Sequence, residues 1–171
     1  MKKILIILAK KNFRDAEFLV PKNFFEQQNC KIFSASTTKI SIGRFGFRVK
    51  NNFLISEISP ENFDAIFFVG GGGSLDFLKN NFAKNLAKNF ATAKKICGAI
   101  CAAPRLFLQW NLLQNRHCTG WNGDEKFGEI CEKCGAIFEP KNCVVDGNFV
   151  TADGPKSAEI FAIEFLKKVF S

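Results

Sequence analysis

The stretch "KKICGAICAAPRLFLQW", residues 94–110, decides the fold. Its short apolar run, Ile96 to Ile100, has the length and β-branched content of a buried strand. From Pro104 onward apolar residues recur at helical spacing (Leu106, Leu108, Trp110, Leu112, Leu113). Cys101 stands at the junction. Ala102 and Ala103 follow it, and Pro104 has a fixed φ suited to a first helical turn. A reactive side chain held on a sharp strand-to-helix turn by small neighbours is the pattern of a nucleophile elbow. Cys97, four residues earlier, falls inside the strand and reads as inert core.

Outward from this stretch the same grammar repeats. Strand-like runs at Ile4–Ala9, Lys31–Ala35, Ala65–Val69 and Ile96–Ile100, with a weak one at His117–Thr119, alternate with helical stretches at Ala16–Gln28, Leu75–Ala93 and Pro104–Leu113. Alternation of this kind predicts an α/β fold: a mostly parallel sheet with helices on both faces, a three-layer sandwich. Pro21 is expected to kink or restart the first helix. Residues 44–56, "RFGFRVKNNFLIS", alternate around Asn51-Asn52 and predict a β-hairpin at the sheet edge. "CVVDGNFVTA" (143–152) carries the Asp-Gly signal of a second hairpin, and Pro155–Phe170 reads as a closing amphipathic helix. No repeat, linker or low-complexity segment interrupts residues 1–171, so a single domain is expected.

Composition bounds the function classes. Of 171 residues 47% are hydrophobic and 23% charged, and no apolar run approaches the 18 or so residues of a membrane span. The opening "MKKILIILAKKNFRD" imitates a signal peptide, but its apolar run ends at Lys10-Lys11 without a small-residue cleavage site; a first buried strand in a cytoplasmic protein fits better. The net charge of +8 invites a nucleic-acid partner. The lysines are scattered rather than striped, however, and only Arg14, Arg44, Arg48, Arg105 and Arg116 are arginine, so a solvated basic surface is the reading. Seven cysteines, an odd number in a domain of this size, read as free thiols. "CEKC" (Cys131, Cys134) has zinc-ligand spacing, but a second such pair is missing and His117, the only histidine, is isolated; no metal is expected.

Two further segments belong with the elbow. "DAIFFVGGGGSLDFL" runs a buried strand into Gly70–Gly73 and a helix opened by Ser74. Backbone N–H groups of such a loop can cradle a phosphate or an oxyanion. Neither the P-loop nor the dinucleotide fingerprint is present, which leaves an oxyanion site facing Cys101, or glycines that merely serve a tight turn. In "FRDAEFLVPKNFFE", Glu17 follows the first strand at the same carboxyl edge, where ligand sites of open α/β sheets gather.

"AICAAP", the Asp-Ala-apolar-Val-Gly-Gly strand and loop, the early Glu17 and the late "VVDGNFVTADGP" resemble, in order and spacing over nearly the whole chain, the DJ-1/PfpI (ThiJ-like) superfamily of the class I glutamine amidotransferase-like fold. The resemblance implies a flavodoxin-like sandwich, commonly a homodimer. It implies Cys101 as the reactive cysteine, Glu17 as the carboxyl bonded to it, and the amides of Gly70 or Gly71, with that of Ala102, as oxyanion donors; register with Asp64-Ala65 favours Gly71. The departures are informative. Ala102 stands where peptidase members carry histidine, and Trp121 stands where glyoxalase-like or deglycase-like members often do. An offset of four residues in a strand puts His117 roughly 13 Å from that position. A Cys101–Glu17 site walled by Trp121 remains, with the thiol pKa expected below its ordinary ~8.5. Two functions follow: a cofactor-free, thiol-dependent enzyme acting on small reactive carbonyls or as a hydrolase, or a non-enzymatic redox-responsive protein in which an oxidant meets the same cysteine.

Overall fold

Residues 1–171 are described by a computed structural model. In chain order the strands and α-helices are β1 (Lys3–Ile7), β2 (Lys11–Phe13), α1 (Asp15–Gln27), β3 (Lys31–Ser36), β4 (Ile40–Gly43), β5 (Arg48–Lys50), β6 (Phe53–Leu54), β7 (Ala65–Phe68), α2 (Asn81–Thr92), β8 (Ile96–Ile100), α3 (Pro104–Gln109), β9 (His117–Cys118), α4 (Phe127–Lys133), β10 (Ile137–Phe138), β11 (Cys143–Asp146), β12 (Phe149–Ala152) and α5 (Ala158–Phe170). Seven strands form the central sheet in the order β11-β12-β8-β7-β1-β3-β6, parallel except for the β11–β12 hairpin. This is the flavodoxin-like α/β architecture that the alternating runs predict. Helices α1 and α5 pack together on one face, and α2 lies against β7 and β8 on the other. Because both faces are covered, β1 and β7 read as unbroken apolar runs rather than alternating ones. No helix is long and apolar enough to cross a membrane.

The core is rich in phenylalanine. Phe67 of β7 meets Phe25 of α1 and Phe161 and Phe165 of α5 with ring centroids 5.4–6.0 Å apart, mostly edge to face. Gly98 in β8 makes room for this cluster: a Cβ there would lie 2.8 Å from both Phe161 and Phe165.

Several local expectations are corrected. Helix α1 runs without interruption through Pro21, which is buried. The missing N–H removes a single hydrogen bond, and packing on α5 and β3 holds the turn. The hairpin expected around Asn51-Asn52 forms one step earlier, between β4 and β5, turning through Arg44–Phe47 with Gly46 at φ +89°. It joins β2 in a separate three-stranded sheet. The two asparagines instead brace it: Asn51 Nδ2 ties the hairpin's own strands, donating to the Thr38 carbonyl and to Ser41 Oγ at 2.9 Å each, and Asn52 Oδ1 links it to the main sheet by accepting from the Ser34 amide of β3 at 2.8 Å. The helix expected over Leu75–Ala93 is two pieces, a tight 3-10 stretch at Gly72–Lys79 and then α2, whose start is capped by Asn80 accepting from the Ala83 amide at 2.9 Å. Helix α3 stops at Gln109, because Asn111 takes the left-handed conformation (φ +58°) that ends helices. The weak strand at His117 pairs with β10 outside the central sheet.

Candidate functional site

The candidate site lies at the carboxyl ends of β1, β7 and β8. Strand β8 delivers Cys101 into a φ of +62°, a conformation a side chain rarely takes and one that costs on the order of 1–3 kcal/mol. Three backbone bonds hold it there. The Cys101 amide donates to the Ala152 carbonyl at 2.9 Å, the Cys101 carbonyl accepts from the Trp121 amide at 2.7 Å, and the Ala103 amide closes onto Ile100 at 3.1 Å. Ala102 and Ala103 are buried, and Ala102 lines the cleft beside Cys101.

Glu17 sits in the first turn of α1 and is fully buried. Its Oε2 accepts from the Gly70 amide at 3.0 Å. Its Oε1 is buried with no conventional hydrogen-bond partner; the neighbour it can act on is the Cys101 thiol, with which its ionisation is coupled. Gly70 is the hinge of this contact, since a Cβ on it would lie 2.6 Å from Glu17 Oε2 and 2.7 Å from Cys101 Cβ. Of the two glycine amides singled out in the sequence, that of Gly70 is thus taken by the carboxyl, while those of Gly71 and Ala102 donate toward the sulfur.

The electrostatics run against one expectation. Burial pushes Glu17 up to about 7, opposed in turn by hydrogen bonding with Cys101, the Gly70 amide and the Arg14 guanidinium. Burial and the Glu17 charge push the Cys101 thiol up to about 12, against the pull of the Gly71 and Ala102 amides. A thiol below its usual range is therefore not what this chain builds. Two acids in contact titrate as a unit. The pair gives up its first proton near neutrality and its second only in strong alkali, so between those steps it holds one proton for two basic sites.

Cys101, Gly71, Ala102 and Trp121 line one cleft of about 350 Å³. Trp121 is half exposed and lies 5.5 Å beneath the Arg105 guanidinium, which is bonded to Asp124 at 2.7 Å and to the Trp121 carbonyl at 3.2 Å. His117 is not among the lining residues. Its Nδ1 is 2.6 Å from Glu139 Oε1 at the partly exposed β9–β10 pair. The "CEKC" thiols do not pair with each other to make a ligand set: Cys131 Sγ lies 3.7 Å from Cys118 Sγ in the interior. What sequence reading missed are the cleft's arginines, Arg14, Arg44 and Arg105, together with Leu75 and Pro155. The available signal was positional, with Arg14 three residues before Glu17 and Arg105 four after Cys101.

Comparison with known proteins agrees with this fold. The family model described as "DJ-1/PfpI family" matches residues 2–168. A Methanocaldococcus jannaschii protein of uncharacterised function is 36% identical over 98% of this chain and 82% of its own length. The protein named Deglycase PfpI from Pyrococcus furiosus is 26% identical over 95% of this chain and 97% of its own. Among solved structures, a ThiJ/PfpI domain protein from Brachyspira murdochii superposes with a TM-score of 0.92 at 30% identity, covering 98% of this chain and 96% of that one.

Proposed function

The chain belongs to the DJ-1/PfpI family, and from that premise we propose that it is a thiol-dependent enzyme of small reactive carbonyls, of the glyoxalase or deglycase type. The observation that carries the reading is the buried Glu17 carboxyl coupled to the Cys101 thiol, with two backbone amides directed at the same sulfur. In this mechanism Cys101 Sγ attacks an aldehyde carbon as its proton passes to Glu17. The S–C bond forms, the C=O π bond opens to an alkoxide that accepts from the Gly71 and Ala102 amides, and Glu17 returns the proton to that oxygen. For a 2-oxoaldehyde, the carboxylate then takes the proton from C1 of the adduct and delivers it to C2, while the C1 hydroxyl proton passes to the C2 oxygen and leaves C1 as the carbonyl. The resulting 2-hydroxyacyl thioester is cleaved by water to the 2-hydroxy acid and the free thiol. A group titrating near 7 suits both directions of transfer. Amide hydrolysis is disfavoured in this reading, because no imidazole lines the cleft to protonate a leaving amine.

That same missing imidazole favours a second reading, in which peroxide oxidises Cys101 to a sulfinate held by the amides and by protonated Glu17. Methylglyoxal turnover by the wild-type protein, abolished in Cys101→Ala, is the result expected of the enzyme. No turnover, with Cys101 converted to sulfinate by two equivalents of peroxide, favours the sensor. The proposal includes a homodimer, checked by sedimentation.

A further inference from the structure

We propose that the carbonyl compound taken by Cys101 carries an oxyanionic group, a carboxylate or a phosphate, and that Arg14 and Arg44 hold it. The inference rests on Cys101 being the reacting group, as above, and adds the class of substrate.

Three of the chain's five arginines line the Cys101 cleft, and no acidic side chain lines it. Arg105 is already engaged by Asp124. Arg14 and Arg44 form no ion pair anywhere in the molecule. Chance exposure does not account for their placement, because the backbone around both is anchored. The Arg14 amide donates to the Gly70 carbonyl at 3.0 Å, and the Arg44 amide to the Phe13 carbonyl at 2.8 Å. The guanidinium of Arg14 lies 5.0 Å over the Phe45 ring. Asp15, the acid between these elements, is buried and spends both carboxylate oxygens on the turn: Oδ2 accepts from the Phe45 amide at 3.0 Å and Oδ1 from the Phe47 amide at 3.1 Å. It therefore braces the arginine-bearing turn rather than neutralising it. The outcome is two unpaired, forked donors lining the same small-molecule-sized cleft as Cys101, an arrangement suited to a carboxylate or phosphate.

Alkylation separates this proposal from the one beneath it. Iodoacetate and iodoacetamide react identically: Cys101 Sγ bonds to the methylene, the C–I bond breaks, and iodide and the thiol proton leave. They differ only in the charge beside the reacting carbon. At low salt, relative to the same pair of rates on glutathione, iodoacetate is expected to gain about tenfold at Cys101, the effect of one charge-assisted contact. The gain should shrink in 0.5 M salt and be largely lost in Arg14→Gln and Arg44→Gln, while Arg48→Gln, outside the cleft, keeps it. Protection of Cys101 by millimolar inorganic phosphate but not by acetate marks phosphate as the group; the reverse marks carboxylate. Rapid labelling of Cys101 by iodoacetamide without any preference for iodoacetate overturns the anion subsite alone. Should Cys101 resist both reagents while other thiols react, the reactive-cysteine reading falls with it.

Discussion

Glu17 is a carboxyl kept in a place that penalises its charge. Its folded pKa, about 7, lies above the ordinary carboxylate value, so the native state binds more protons than the unfolded state between roughly pH 4.5 and 7. Stability consequently falls as pH rises through that window and stays reduced above it. Glu17→Gln removes the penalty, and is expected to stabilise the protein by roughly 1–3 kcal/mol at pH 8 and by little at pH 4.5, read from urea midpoints at the two pH values. The same change affects the thiol. Because the Glu17 charge raises Cys101, its loss should speed iodoacetamide labelling at pH 8 by roughly tenfold per pKa unit recovered, while carbonyl turnover collapses for want of a proton carrier. Faster alkylation with slower turnover is the signature of a catalytic acid/base; slower alkylation would show that Glu17 supports the thiolate instead. Trp121 offers the complementary test. Trp121→His puts an imidazole on the cleft wall, and is expected to raise methylglyoxal turnover by about 10²-fold in the wild-type background and not at all with Cys101→Ala.

Among elements, the glycine loop is where conformation and chemistry meet. Gly71 has φ +93°, and a Cβ on it would sit 2.7 Å from the Arg14 backbone nitrogen, whereas one on Gly72 would meet nothing within 4 Å. Gly71→Ala should therefore cost about 1–3 kcal/mol in a denaturation experiment and disturb the amide beside Cys101, while Gly72→Ala is expected to leave stability and labelling nearly unchanged. Equal effects would remove the special role of Gly71. The loop also illustrates what was legible in the sequence. The elbow at Cys101 and the early Glu17 could be read because each depends on a few consecutive residues. The arginine cluster could not, because Arg14, Arg44 and Arg105 come from three segments that only the finished topology brings together. The thiol pKa was misjudged for a related reason: amide donors are visible as glycines and helix starts, but burial and a facing carboxyl belong to the assembled site. The misplaced hairpin turn came from weighing Asn51-Asn52 above Gly46, when the positive φ is supplied by the glycine.

At the level of the whole molecule, a single phenylalanine-rich layer ties the sheet to α1 and α5, and Gly98 is its tightest point. Gly98→Ala forces two packed rings aside, an overpacking expected to lower global stability by about 1–3 kcal/mol. The pH dependence of Cys101 labelling in the folded protein should be untouched, since Gly98 lies away from the cleft lining. Loss of labelling without loss of stability would mean that core and site are coupled through β8.

The turn through Arg44–Phe47 has a different kind of independence. Its anchors are the buried Asp15 carboxylate, the Gly43 position that admits no side chain against that carboxylate, and Gly46; they fix the backbone without using the side chains of Arg44 or Phe45, both exposed. Such a turn is an interchangeable cassette. Substitutions at 44 and 45 are expected to be accepted with the framework intact, so on the anion-holding proposal descendants of this chain, natural or engineered, can change what the cleft admits by rewriting two letters while Cys101 and Glu17 stay as they are.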